Sequence, residues 1–301
     1  MKKSGYQVLP ILALIVSTIG MGSAIFFVKL SEVDATSTLM LRMFIAGGIA
    51  GILRLGSTHA SPPPASIHRR PATLLVLLFL SALASTIDLL SNHWALTFTS
   101  MANTAILMNL SPVFVALLSY IFLKEKLTAR QSLSLLIALA GATVLVLAKN
   151  GGLSFSKHSF LGDLLALNSA LFYAIYFMLL KELRGSINSR NIIIWQSLIC
   201  GSLLLPIALL SSTPLFPTSP KGWLTIFALA IFSQLLGHGL MAYALKYVDV
   251  VLASISTLAK PVVAIMLGYV FFNEKLLPLQ WLGVLTVLFG IAWYRRSPPA
   301  T

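Results

Sequence analysis

Acidic residues are scarce in this chain: only 8 of 301 are Asp or Glu, against 21 Lys or Arg, and charged residues of both signs make up 10%. With 57% hydrophobic residues, the polar residues left over are too few to cover a water-soluble globule, which excludes ordinary soluble domains. Cysteine is rarer still. Cys200 alone excludes an intramolecular disulfide framework and a cysteine-cluster metal site, and is expected as a small residue facing lipid or core. Also missing are a phosphate-cradling Gly-x-x-x-x-Gly-Lys-Ser/Thr loop, a His-Glu-x-x-His helix and a Gly-x-Ser-x-Gly elbow. Without the first, nothing in the chain hydrolyses ATP to drive work. Without the others, the chain is not read as an enzyme, and no metal or cofactor is expected.

Long apolar runs are abundant. Ten are visible, at about 8–28, 36–53, 73–97, 100–123, 129–148, 161–181, 192–210, 223–246, 251–272 and 279–294. Most are long enough, at ~1.5 Å per helical residue, to cross a hydrocarbon core of roughly 30 Å. The first is longer than a signal core and meets no small-x-small pattern before Lys29, Glu32 and Asp34, so it is expected to stay in the mature protein. The net charge of +13 would suggest nucleic acid in a soluble protein, but its distribution says otherwise. With a cytoplasmic N-terminus, Lys2, Lys3, Arg54, Arg69, Arg70, Lys124, Lys126, Arg130, Lys181, Arg184, Arg190, Lys246, Arg295 and Arg296 fall on the cytoplasmic side. Lys29, Lys149, Lys157, Lys221 and Lys275 fall on the other. This positive-inside asymmetry places both termini in the cytoplasm, in a bacterial plasma membrane, and removes nucleic acid as a partner.

Connections between the runs are mostly short, so consecutive helices are expected to be antiparallel neighbours. Residues 54–72, with Pro62, Pro63, Pro64, His68, Arg69 and Arg70, read as a flexible loop; residues 149–160, with Gly151 and Gly152, read as a link between halves. An internal repeat carries more information. Pro112 and Pro261 are 149 residues apart, and so, without a gap, are Ala95-Leu96 and Ala244-Leu245, Tyr120 and Tyr269, Phe122 and Phe271, Glu125-Lys126-Leu127 and Glu274-Lys275-Leu276, Gln131 and Gln280, and Gly141 and Gly290. The fold expected is therefore all-α, ten transmembrane helices in two five-helix repeats, residues 1–150 and 151–301. An odd number of spans per repeat makes the second inverted with respect to the first, an arrangement suited to alternating access about a midplane site.

Two stretches bring a known family into view. Ser111-Pro112 leads through an apolar run to Lys124-Glu125-Lys126-Leu127, and Lys260-Pro261 leads likewise to Asn273-Glu274-Lys275-Leu276. Further matches are Asp88 to Leu96 running into Thr99 to Asn103, and Gln234 to His238. The chain resembles the drug/metabolite transporter superfamily, in its ten-helix EamA-like branch, over nearly its whole length. The resemblance implies a carrier of small metabolites, many family members handling amino acids or related solutes, some in exchange for protons. Many relatives have a neutral residue, often glutamine, where this chain has Lys260.

Ionisable groups inside the runs are costly, roughly 2.5–3.5 kcal/mol each on insertion scales, and so mark candidate sites. Arg42 lies in the second run, Asp88 and His93 in the third, His238 in the eighth and Lys260 in the ninth. Arg42 could pair with Asp88 or snorkel to the surface. Asp88 could bind a proton, or serve only in a structural ion pair or as a helix cap, and Asn92, four residues on, shares its face. His93, beside Trp94, reads as interfacial. Gln234 lies one turn from His238 and could bond it or a substrate amide. Lys260 could attract a substrate carboxylate, take part in proton coupling, or snorkel. Tyr173, Tyr176 and Trp195 could line a pathway or simply pack, and Pro112 and Pro261 could bend their helices or fix static kinks. The expected partners are a small-molecule substrate and the lipid bilayer. The alternative on the same architecture is a flippase for lipid or lipid-linked sugar.

Overall fold

The protein is represented by a computed structural model that describes residues 8–56, 70–150, 159–211, 213–272 and 276–296, and every regular element among them is helical. In chain order these are α1 (Val8–Gly22), α2 (Ala24–Lys29), α3 (Ala35–Leu55), α4 (Pro71–Phe98), α5 (Met101–Met108), α6 (Ser111–Leu118), α7 (Ala129–Asn150), α8 (Ser159–Arg184), α9 (Ser189–Leu209), α10 (Pro220–Ala228), α11 (Leu240–Ala244), α12 (Val250–Ser256), α13 (Lys260–Phe272) and α14 (Pro278–Arg295). Wider π-helical turns occupy Ser119–Leu123 and Leu229–Gly239, and a tight 3-10 turn occupies Thr257–Ala259. Among the described residues nine stretches are long and apolar enough to cross a membrane, and the tenth expected run forms α14.

Local chemistry sets the ends of these helices. Ser100 caps α5 by accepting from the Asn103 amide, and Ser219 caps α10 by accepting from the Gly222 amide, with Pro220 at the first helical position where no donor is needed. At α14 the Gln280 side chain reaches back to accept from the Leu277 amide at 2.8 Å. Lys124 adopts a left-handed conformation (φ 56°) and stops the helix before it. Lys181, read from sequence only as a surface charge, donates from Nζ to the Leu245 and Val248 carbonyls, both at 2.7 Å, so it closes the end of α11. Helix interruptions precede both prolines: α5 breaks at Asn109-Leu110 before Pro112, and the 3-10 turn lies immediately before Lys260-Pro261.

The chain forms two compact units. The first takes residues 1–83 and 179–249, the second 84–178 and 250–301. Each draws on both halves of the sequence. In the first unit α3 packs on α9 through two glycines: a Cβ at Gly47 would lie 2.9 Å from Leu198, and one at Gly201 3.2 Å from Phe44. In the second unit α7 packs on α14 in the same manner, a Cβ at Gly141 falling 2.7 Å from the Val287 amide nitrogen and one at Gly290 2.7 Å from that of Ala138. The pattern is reciprocal in both units. Each glycine meets the residue three before its opposite number.

In the first unit the turn after α2 is tied to the segment between α9 and α10 by two carboxylates. Glu32 accepts from the Thr218 and Ser219 amides and the Ser219 hydroxyl. Asp34 caps α3 through the Ser37 amide at 2.9 Å and also accepts from the Ser211 and Thr213 hydroxyls. Partial burial pushes Asp34 up, but the Thr213, Ser37 and Ser211 hydrogen bonds outweigh it, and its net position is below the ordinary carboxylate value. Hydrogen bonds from Ser219 lower Glu32 likewise. A carboxylate depressed in the folded state stabilises that state above its unfolded pKa and loses the contribution as pH falls through the folded value. The clasp is therefore expected to hold at neutral pH and to loosen below about pH 4. Fluorescence of Trp223, stacked on Phe216 beside this clasp, should report an acid transition that Asp34→Asn removes; an identical transition in the variant would show the clasp has no part in it.

Lys2, Lys3, the loop residues Pro62, Pro63, Pro64, His68 and Arg69, the Gly151-Gly152 link, Lys157 and the Asn273-Glu274-Lys275 turn lie outside the described residues.

Candidate functional site

In the second unit, one face of α8 gathers the polar groups. Ser169, Tyr173, Tyr176 and Phe177 follow at helical spacing, so all four point the same way. The Ser169 hydroxyl donates to Asp88 Oδ1 at 2.5 Å, and Asp88 is only 5% exposed. One turn further along, about 6 Å of helix rise, the Lys260 ammonium stands over the Tyr173 ring, 4.7 Å from its centroid. Tyr173 in turn packs on Phe177 (4.8 Å) and Tyr176 (5.9 Å), so its ring is held in place. Lys260 sits at the start of α13, where the 3-10 turn passes into α-helix.

This arrangement sets a lysine and an aspartate on neighbouring turns of one face. Among the described residues the Lys260 ammonium donates to no oxygen; its partner is an aromatic face. A cation over a desolvated ring gains roughly 2 kcal/mol, yet its N–H donors stay available. Lys260 is partly buried and Asp88 buried. The face can therefore offer donors to an anionic group at one level and a carboxylate at the next. Asn92, half-buried one turn from Asp88, makes no hydrogen bond among the described residues, and the neighbouring Asn168 donates to Ser91 at 2.8 Å.

The first unit holds a second polar group of contacts. Arg42 Nη1 donates to Ser233 Oγ at 3.4 Å, His238 Nδ1 lies 3.0 Å from the Ser233 carbonyl, and Gln234 Nε2 donates to Ser197 Oγ at 3.2 Å. Ser233, Gln234 and His238 all lie in the π-helical stretch, whose wider turn is a frequent companion of functional positions. Gln234 Oε1 is buried with no donor among the described residues.

The sequence candidates thus divide. Asp88, Asn92, Tyr173, Tyr176 and Lys260 share the second unit; Arg42, Gln234, His238 and Trp195 share the first. Trp195 is 49% exposed on α9, whereas Tyr173 and Tyr176 are buried. Ser169 was missed, being one hydroxyl in an apolar helix. Asp163, which accepts from Thr99 (2.7 Å) and Asn103 (3.1 Å), was missed too.

The repeat register leads to Ser169 once one helix crossing is known. Residues 149 before Ser169 and after Asp88 are Gly20 and Gly237, and these two meet in the first unit: a Cβ at Gly20 would lie 3.0 Å from the Gly237 nitrogen. The same helix crossing is closed by glycines in one unit and by a Ser–Asp hydrogen bond in the other. By the same spacing Tyr173 answers to Ala24 and Lys260 to Ser111, so the charged version occurs once.

Comparison with known proteins gives a consistent result. The profile of the EamA-like transporter family matches residues 8–147 and again 160–296. An Archaeoglobus fulgidus protein named as an uncharacterized transporter is 29% identical over 283 residues, 93% of this chain and 95% of that one. A Dictyostelium discoideum protein named GDP-fucose transporter 1 is 24% identical over 67% of this chain and 55% of its own length. A solved crystal structure superposes with a TM-score of 0.79 at 20% identity, covering 94% of this chain and 95% of the other, which is a likeness of fold.

Proposed function

Because this chain belongs to the EamA-like transporter family, we propose that it is a secondary-active carrier, working as an exporter, for a small polar metabolite of amino-acid type. The observation that carries this reading is the Lys260 ammonium held on the Tyr173 face one turn from the Ser169-bound Asp88. Lys260 receives the solute's carboxylate, and Asp88 either its amine or a coupled proton. The pair is close to neutral overall, which suits a zwitterion better than a solute bearing several negative charges. The nucleotide sugar in the Dictyostelium relative's name is a poorer match to a single lysine.

Alternating access between two inverted repeats, residues 1–150 and 151–301, is the mechanism we infer. The 149-residue register and the reciprocal glycine contacts of α3 with α9 and of α7 with α14 support it. The distribution of basic residues supports cytoplasmic termini, and the short connections suit a bacterial plasma membrane.

Uptake of a pooled amino-acid and small-metabolite mixture into proteoliposomes, with and without a pH gradient, tests the reading. Saturable uptake driven by the gradient is expected, with Asp88→Asn losing about tenfold or more of the gradient-driven rate. Gradient-driven uptake unchanged in Asp88→Asn would remove the aspartate from coupling. Folded protein that takes up no solute at all would sink the carrier.

A further inference from the structure

The first unit holds a further feature, whose lining includes none of the polar groups of the candidate site described above. Between α3, α9 and the end of the π-helical stretch runs an open groove of about 380 Å³, within the ~300–1,000 Å³ range of ligand sites. Its walls are Ala50 and Leu53 of α3, Ile193 of α9 and Leu235, all apolar, and its far side is Gly239. Gly239 leaves the space open on its side: a Cβ there would meet only the Gln234 carbonyl at 3.9 Å.

The polar end of the groove is one-sided in charge. Arg190 and Ser189, in the first turn of α9, complete the lining, and Arg54 follows Leu53 in the last turn of α3. Both arginines are exposed, and among the described residues neither makes a hydrogen bond or an ion pair. None of the lining residues is acidic. Leu53 is 62% exposed, on a helix apolar enough to span a membrane. The Arg190 guanidinium, unpaired among the described residues, therefore marks one end of the groove, and the Arg54 charge follows the lining Leu53 in sequence.

We propose that this groove is a binding site for an anionic membrane phospholipid, with an acyl chain along Leu53, Ile193 and Leu235 and the headgroup phosphate on Arg190 and Arg54. Guanidinium forks match phosphate oxygens in a two-point geometry that a lysine cannot copy, and the acyl chain supplies burial that a free phosphate lacks. The occupied groove joins α3 and α9 to the π-helical stretch that carries Ser233 and His238. The site thus makes this unit responsive to the anionic lipid content of the bilayer.

The test measures binding to the detergent-solubilised full chain by native mass spectrometry, with phosphatidylglycerol and with phosphatidylcholine of the same acyl chains. The wild type is expected to retain phosphatidylglycerol in preference. Arg190→Gln should weaken that binding about tenfold, and Gly239→Leu, which fills the groove without touching a charge, should weaken binding of both lipids. Thermal melting of each variant without added lipid shows whether it is folded. Equal phosphatidylglycerol binding by the wild type and both folded variants would overturn the site. So would equal retention of the two lipids, or full competition by inorganic phosphate alone, which would make it a site for a soluble anion.

Discussion

Replacing Lys260 with glutamine is expected to lower the specificity of transport, measured as Vmax/KM in proteoliposomes, on the order of 30-fold or more while leaving a folded protein. Truncating one partner of a desolvated charged contact costs about 2–5 kcal/mol, and each 1.4 kcal/mol is a factor of ten. Glutamine keeps most of the stem's length, so packing at the start of α13 should survive. The ring beneath it allows a sharper test. Tyr173→Phe keeps the aromatic face 4.7 Å from the ammonium and should transport at close to the wild-type rate. Tyr173→Leu removes that face and should lose most of what Lys260→Gln loses. If Tyr173→Leu transported normally while Lys260→Gln did not, the lysine would matter and its aromatic seat would not. Equal activity in all three variants would dissolve the proposed site.

The second large effect concerns the α7–α14 seam. Gly290→Val should destabilise the protein by roughly 2–3 kcal/mol, the upper part of the usual range for overpacking. Its new Cβ alone would fall 2.7 Å from the Ala138 nitrogen and 2.8 Å from the Ala138 Cβ. Backbone cannot rotate out of the way as a side chain can, so the two helices must part. Gly141→Val is the matching experiment from the other side, where the Val287 nitrogen stands 2.7 Å off. Gly48→Ala provides the control, since a Cβ there meets nothing within 4 Å; it should be neutral or mildly stabilising through helix propensity. Thermal melting of the four proteins in one detergent measures this directly. A Gly290→Val protein as stable as Gly48→Ala would show that the seam has room to spare.

Much of this was legible in the sequence, for reasons of scale. A span across hydrocarbon must satisfy its backbone internally and show some twenty apolar residues in a row, so the runs that form α3, α4 and α9 could be located by hydropathy alone. The few ionisable residues within those runs stood out because their insertion is costly, which is how Asp88, Lys260, Arg42 and His238 were found. What could not be seen was which helix meets which. Arg42 donates to the Ser233 hydroxyl, on a segment 191 residues away, and no spacing in the sequence announces that contact. Ser169 carries no signal of its own in an apolar helix, where a serine usually bonds its own backbone. The 149-residue register does point to it, but only once Gly20 and Gly237 are known to touch. The wide turns at Leu229–Gly239 were likewise unreadable: Gly237 and Gly239 weaken a helix, but neither says where a turn widens.

The interleaving of the two units has a consequence for how the protein is made. Synthesis proceeds from the N-terminus, and domains ordinarily close as they emerge. Here neither unit can. When α3 leaves the ribosome its partner α9 is still more than a hundred residues from being translated, and α7 must wait for α14, the last helix described. Gly47 and Gly141 are thus exposed in the bilayer as shallow notches until late in translation. During that interval the early helices can associate with any other small-residue surface nearby, and a chain halted before α14 would carry the α7 notch permanently open. Closure of the second unit therefore turns on the arrival of α14.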